Sequence, residues 1–178
     1  MVTEQDKYPI GKFVRPTDVS EQDIDNHISN IQTFPARLKA EVINLSDEQL
    51  DTPYREDGWT IRQVVNHVSD SHSNALIRFK LALTEDKPTI KPYMEDRWAE
   101  LADSKTISIG PALTMIDGIH QRWAVLLKSM SENAFQRKFI HPEHGNEMTL
   151  YVTLALYSWH SNHHLAHITT LKKTKNWQ

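Results

Sequence analysis

Four long stretches of this chain place apolar residues three and four positions apart, the spacing of helices that bury one face. Only five glycines occur in 178 residues, so little interrupts these stretches. This combination favours helices over a β-sandwich or a β-barrel. The sequence therefore predicts an all-α fold, a four-helix bundle formed by a single domain over residues 1–178.

Start and stop signals predict the bounds of the helices. A capping hydroxyl stands before two of them, at Ser20 and Thr60, and a proline occupies the first turn of a third. The predicted helices run from Ser20 to Leu45, from Thr60 to Thr84, from Gly110 to Met130 and from Thr149 to Lys173. A short helix is also predicted between Ser46 and Leu50.

Three segments depart from the regular pattern. Pro35 has no N–H to donate, which predicts a kink or break near Thr33–Phe34. Residues 84–110 form a long connection with a short helix around 94–101, and a connection of this length is usually functional or follows a crossover. The turn-rich residues 141–146 predict a loop before the last helix. We therefore expect a bundle with one long crossover connection.

Composition and charge exclude several classes of protein. A net charge of −3 and a pI near 6.4 give no general attraction to nucleic acid or to an anionic membrane. No run of about 18 apolar residues could span a bilayer, and the N-terminus has no signal-peptide core. We therefore expect a cytoplasmic protein. A homodimer is the default assembly, because two-fold dimers are the commonest soluble oligomers.

The chain contains no cysteine. This excludes a disulfide scaffold, a cysteine-ligated zinc site, an iron–sulfur cluster and a cysteine nucleophile. Any thiol chemistry must use a thiol from a small molecule.

Four histidines lie within eight residues of the last predicted helix. Residues four apart share a helix face, so His160 can act with His164, and His163 with His167. Neutral imidazole is the commonest metal ligand and suits Zn, Ni, Cu and Fe. His167 could serve as a pocket residue of the first pair, with His163 facing a partner or solvent.

A catalytic site needs a third ligand from another element. Periodicity alone does not choose among the candidates, which are His27, His67, His72, His120, His141 and His144. His72 lies nearer the apolar centre of its helix than His67, which lies on the flank.

Several blocks of sequence resemble the YfiT-type branch of the DinB superfamily, from Tyr8 to Trp177. These blocks are residues 50–55, 58–67, 70–72, 77–80, 120–123, 157–160, 163–164 and 166–168. Members of this family are described as metal-dependent hydrolases on a four-helix bundle with an unusual crossover, and some are bacillithiol S-transferases. The resemblance implies a metal triad of His67, His160 and His164. One departure is Met94, where the family pattern suggests an acid; Glu95 or Asp96 would have to take that part.

A three-histidine site leads to specific chemical expectations. We expect one divalent ion per chain, zinc or alternatively nickel, with an open coordination position beside a small-molecule pocket lined partly by residues 84–110. Such an ion can activate either water or a small thiol, so the catalytic group is left unassigned. The predicted function is a metal-dependent hydrolase; the alternatives are a thiol S-transferase and a non-enzymatic metal-binding protein. Asp70, Glu95 and Asp117 are the candidate general bases.

Two further expectations concern the position and surroundings of the site. The ion should lie near one end of the bundle core. The second ring nitrogen of each ligand should meet a carboxylate, a carbonyl or a water.

Overall fold

A computed structural model describes residues 2–142 and 146–177 of the chain. Its elements, in chain order, are α1 (Glu4–Lys7), α2 (Glu21–Val42), α3 (Asp47–Leu50), α4 (Ile61–Thr84), α5 (Glu95–Trp98), α6 (Ala102–Lys105), α7 (Gly110–Lys128), α8 (Glu132–Phe135), β1 (Lys138–His141), β2 (Asn146–Thr149) and α9 (Leu150–Lys175). The long helices α2, α4, α7 and α9 form a four-helix bundle, which confirms the predicted fold class. Among the described helices, none has the length and apolar character needed to cross a membrane.

The predicted caps Ser20 and Thr60 lie at the starts of their helices, and the structure adds a third cap at Thr149. The side chains of Ser20, Thr60 and Thr149 each accept a hydrogen bond from the backbone N–H three residues later. Gln63 completes the capping box of α4 by accepting from the N–H of Thr60. These bonds pair backbone donors that the helix leaves unpaired, so they explain why each helix begins where it does.

The order of the helices around the bundle differs from their order in the chain. Helix α2 packs against α7 and α9, and α4 packs against the same two helices. Consecutive long helices α2 and α4 are therefore diagonal to each other, as are α7 and α9.

The long connection follows from the helix directions. Arg62 at the start of α4 bonds to the Ile107 carbonyl just before α7, and Phe79 near the end of α4 packs on Trp123 near the end of α7. Helices α4 and α7 are therefore parallel neighbours. The chain must return along the whole bundle between them, so residues 85–109 form the expected long crossover.

Helix α2 continues through Pro35, so of the predicted kink or break near Thr33–Phe34, the break does not occur. A proline at this position leaves the carbonyl of Ile31, four residues earlier, without its helical donor. That carbonyl instead accepts a hydrogen bond from Nδ1 of His120, at 2.6 Å. Because the orphaned acceptor has a buried partner on α7, the helix does not need to end there.

A short hairpin stands where the sequence predicted only a loop. Strands β1 and β2 pair antiparallel, and residues 143–145 of the predicted loop lie outside the described residues. The hairpin also holds the start of the crossover, because Ile90 N–H donates to the Ile140 carbonyl and Ile140 N–H donates to the Pro88 carbonyl. Strands of four residues are too short for an alternating pattern to stand out from the sequence.

The N-terminal segment covers the outer side of α9. The indole N–H of Trp159 donates to the Gly11 carbonyl, and Nε2–H of His167 donates to the Lys7 carbonyl. A larger share of α9 than of the amphipathic α2 is consequently buried. This segment has no helical periodicity, so its packing against α9 could not be predicted from the sequence.

Candidate metal centre

A layer of histidines separates the apolar core into two clusters. One cluster surrounds Phe79 and Trp123, and the other surrounds Ile61 and Ile168. The histidines of α4, α7 and α9 lie between them, in the middle of the bundle. The expectation that the site lies near one end of the core is therefore wrong, because an apolar cluster lies on each side of the histidine layer.

Three histidines of this layer bring their ring nitrogens together. Nε2 of His160 lies 3.3 Å from Nε2 of His67 and 3.1 Å from Nε2 of His164, and all three residues offer ligand atoms within 4.8 Å of one another. Two ligands of a tetrahedral zinc ion at 2.0–2.1 Å are separated by about 3.3 Å. The arrangement of donors thus fits a divalent ion.

Burial keeps these imidazoles neutral. It lowers the pKa of His67 to about 4, with a smaller effect from His163. Burial also lowers the pKa of His160 and of His164 well below the usual value, and the neighbouring imidazoles add to this effect. At neutral pH each ring therefore has a lone pair for an ion, as a metal ligand requires.

His72 and His120 belong to the same layer but approach His160 from its other side. Nε2 of His72 lies 3.1 Å from Nδ1 of His160, and Nδ1 of His72 lies 2.7 Å from Nε2 of His120. The second nitrogen of His160 thus meets another histidine, so the expectation of a carboxylate, carbonyl or water is wrong for this residue. Sequence reasoning had considered both histidines only as candidate ligands.

His163 and His167 form a second group with His164. His163 is buried between a stacked Trp159 and Tyr8, so the expectation that it faces solvent or a partner is wrong. His164 belongs to both groups. Two ions, one in each group, would need both nitrogens of the His164 imidazole, and this ring would then have to lose its remaining proton. The second group therefore competes with the first for His164.

The other candidate ligands lie elsewhere or cannot be placed. His27 is half-buried on α2 against Tyr151, and His141 lies on β1. His144 lies outside the described residues. Among the described residues, neither His27 nor His141 belongs to either histidine group.

A cavity of 560 Å³ opens beside His160. Residues 92–97 of the crossover line one side of it, as expected for the 84–110 connection. Across from them lie Arg78 and Tyr157, whose Nη1 and hydroxyl are 3.4 Å apart. Burial raises the pKa of Tyr157, so its hydroxyl keeps its proton at neutral pH.

The candidate general bases occupy different places. Glu95 lines the cavity together with Met94 and Asp96. Asp117 is exposed on α7 beside a separate groove that contains Pro35. Asp70 lies on α4 and is not among the residues that line the cavity. The structure therefore favours Glu95 over the other two as a group that could reach a substrate beside His160.

Comparison with known proteins identifies the family. A sequence model of the DinB superfamily matches residues 31–168. The chain belongs to the DinB superfamily. This confirms the resemblance found in the sequence.

Close relatives share almost the full length of this DinB protein. A protein of Bacillus cereus strain B4264, named "Putative metal-dependent hydrolase", is 51% identical over 171 residues, which cover 96% of this chain and 98% of the relative. A protein of Bacillus mycoides strain KBAB4 with the same name is 49% identical over the same shares of the two chains. The relatives are thus similar along the whole bundle, including every histidine-bearing helix.

Two kinds of solved structure have the same architecture. YfiT from Bacillus subtilis, described as a probable metal-dependent hydrolase with an unusual four-helix bundle topology, is 45% identical with a TM-score of 0.95 and covers 98% of this chain and 99% of its own. A mycothiol-dependent maleylpyruvate isomerase has a TM-score of 0.61 at 15% identity, covering 82% of this chain and 63% of its own. At that identity the second likeness shows the fold alone.

Proposed function

We propose that this DinB protein is a metal-dependent hydrolase whose single divalent ion is bound by His67, His160 and His164. The observation that carries the proposal is the convergence of their three ring nitrogens beside an open cavity. The names of the close relatives and of YfiT support the same reaction class. Zinc is the proposed ion and nickel the alternative, since imidazole binds both and cytoplasmic availability favours zinc.

The ligands favour catalysis over a purely structural ion. Structural zinc sites use four protein ligands, whereas this group has three neutral imidazoles. When bound, a divalent ion at such a site supplies an electrophilic centre that makes a small nucleophile more acidic. The neutral rings leave the full charge of the ion available for that purpose.

The cavity residues have complementary parts in the proposed hydrolysis. The Arg78 guanidinium can bind a carboxylate or a carbonyl oxygen of the substrate. The Tyr157 hydroxyl, held beside Arg78, can donate a hydrogen bond to oxygen where charge develops. The Glu95 carboxylate can accept the proton of the attacking group. We propose a small-molecule substrate, because a cavity of 560 Å³ has the size of pockets that bind small molecules.

Thiol S-transfer is the second candidate. His67, His160 and His164 would hold an ion that, when bound, would make a thiol more acidic in the same way as water. Because the chain has no cysteine, that thiol would come from a small molecule such as bacillithiol. A cavity of 560 Å³ has room for a small thiol or a small electrophile next to His160.

One assay series separates these candidates. Zinc-loaded protein is given a panel of small esters and amides, then bacillithiol with an epoxide or a haloaromatic compound. We expect thiol-independent cleavage by the wild type, a loss of about 100-fold or more in His160→Ala, and little change in the matched control His27→Ala.

Three other results would contradict this expectation, each in a different way. Product only in the presence of thiol would establish the transferase. Retained zinc without turnover in either assay would favour the binding protein. Zinc binding unchanged in His160→Ala would overturn the proposed ligand set.

A further inference from the structure

A line of hydrogen bonds runs through the core from the backbone of α2 to His160. It begins at the Ile31 carbonyl, passes through His120 and His72, and reaches Nδ1 of His160. The three heavy-atom distances are 2.6, 2.7 and 3.1 Å. Each intermediate ring uses both of its nitrogens, so the line has no branch.

The chemistry of its first atom fixes the position of every proton along the line. A carbonyl can only accept, so Nδ1 of His120 carries a proton. His120 is buried and neutral, which leaves its Nε2 as an acceptor for Nδ1–H of His72. Because the proton of neutral His72 is on Nδ1, its Nε2 accepts a hydrogen bond from Nδ1–H of His160. The remaining nitrogen of His160, Nε2, then holds a lone pair directed at His67 and His164.

Pro35 explains why the first acceptor is available. In an uninterrupted helix the Ile31 carbonyl would accept from the N–H of residue 35, and proline has none. A proline that looks like a helix breaker in the sequence thus provides the fixed acceptor at the start of the line.

The surroundings of the line exclude competing partners. His72 and His120 are at most 1% exposed. Phe34 packs against both rings, and Trp123 contacts them edge-on. Water, which could offer either ring a different partner, is kept away by these aromatic side chains.

We propose that His72 and His120 are positioning residues that hold His160 in the tautomer with its proton on Nδ1, leaving Nε2 for a metal ion. The role of Nε2 as a ligand rests on the proposed function; the tautomer itself does not. This inference assigns two fully buried histidines that are not ligands and accounts for the proline inside α2.

The first test reads the tautomers directly in metal-free protein. Long-range ¹H–¹⁵N spectra of the imidazole rings distinguish protonated from unprotonated nitrogens, and the signals of His160 are assigned by their loss in His160→Ala. We expect Nδ1 protonated and Nε2 unprotonated in His160, His72 and His120. A proton on Nε2 of His160 in the wild type would overturn the proposal.

The second test compares two substitutions of the middle ring by zinc titration against a chelator. His72→Leu removes the acceptor, and we expect zinc binding to weaken about 10- to 100-fold with mixed tautomers at His160. His72→Gln offers an amide oxygen near the position of Nε2 and an amide N–H toward His120. We expect it to restore a single His160 tautomer and affinity within about threefold of the wild type. Equal losses in the two variants would mean that the ring only fills space, which would overturn the proposal.

A third variant covers the case in which His72→Leu fails to fold. Pro35→Ala returns an N–H to the Ile31 carbonyl, and this donor competes with His120. We expect the Nδ1 proton signal of His120 to move upfield while the fold is kept, and an unchanged signal would overturn the anchoring step. If the wild type shows the expected tautomers but binds no zinc, the proposed function fails and the tautomer assignment stands.

Discussion

Asp70 is a half-buried carboxylate on α4, near the acidic Asp103 of the crossover. Burial raises the pKa of Asp70 to about 6, and the charge of Asp103 raises it further. Because the folded state binds this proton more tightly than the unfolded state does, ionisation of Asp70 lowers the free energy of unfolding. The stability that protonated Asp70 provides is present below the unfolded pKa and is lost as the pH rises through about 6.

Replacing Asp70 by Asn should therefore stabilise the protein at pH 8 and have little effect at pH 4. Asn resembles the protonated acid, so it differs from Asp70 only where the acid is ionised. Melting temperatures of the two proteins at both pH values check this. Asp103→Asn is the matched control and should give a smaller increase at pH 8, because the charge of Asp103 is the lesser cause. An equal increase at pH 4 would contradict the explanation.

At the scale of single residues, the sequence predicts which histidines come together but not how their rings are oriented. The spacing of His160 and His164 and the family resemblance of His67 name the three residues that the structure brings together. They do not indicate which ring nitrogen faces which partner. That choice depends on residues far away in the chain, such as His120 and Ile31, so no local pattern contains it.

Among the elements, the junction of α3, α4 and the crossover is held by Arg62. Its guanidinium donates to the carboxylates of Asp47 and Asp51 and to the Ile107 carbonyl, while its side chain is 5% exposed. The two carboxylates are themselves well exposed. Without the arginine, solvent would hydrate these carboxylates. The Ile107 carbonyl would lose its hydrogen-bond donor, and the space that the buried arginine side chain fills would be empty.

Arg62→Met should accordingly destabilise the protein by about 2–3 kcal/mol. Urea unfolding followed by circular dichroism measures this, with the exposed Arg122→Met on α7 as the matched control. Arg62→Lys should recover only part of the loss, because an ammonium group cannot match the three directions of the guanidinium. A change below about 0.5 kcal/mol in Arg62→Met would show that the junction does not depend on this residue.

The accuracy of sequence interpretation at this scale depends mainly on how often a signal is repeated, although the four-residue α3 was also predicted. Caps and periodicity locate the four long helices to within a few residues, since many positions repeat the same signal. Helix α1 and the hairpin have four-residue elements without such repetition, and neither was predicted. The break expected at Pro35 failed for another reason: its physical basis was correct, but a histidine on α7 supplies the missing partner.

Across the whole molecule, the histidine layer should make folding sensitive to acid. Burial lowers the pKa of His67, His120, His163 and His167 to about 4 each. Burial also lowers the pKa values of His72, His160 and His164 well below the usual value. These rings stay neutral in the folded protein at pH values where the same rings are protonated in the unfolded chain.

The sign of the pH dependence follows from these shifts. Below about pH 6.5 the histidines of the unfolded chain become protonated, whereas those of the folded protein stay neutral until about pH 4. The free energy of unfolding is therefore greatest above pH 6.5 and falls as the pH is lowered between these values. Each such histidine lowers the free energy of unfolding by about 1.4 kcal/mol for each pH unit between these two values. Asp70 acts in the opposite direction, but it is one group against seven.

We therefore expect metal-free protein to lose most of its stability between pH 6.5 and 4.5, with several protons taken up on unfolding. Free energies from urea unfolding at half-unit intervals of pH give that number from their slope. His120→Asn should lower the slope by about one proton, because Asn retains an N–H for the Ile31 carbonyl but does not titrate in this range. A slope in the wild type near zero, or one unchanged in His120→Asn, would mean that the buried histidines do not govern acid unfolding. Metal-free protein is used because an ion bound to the folded state would add a pH dependence of its own.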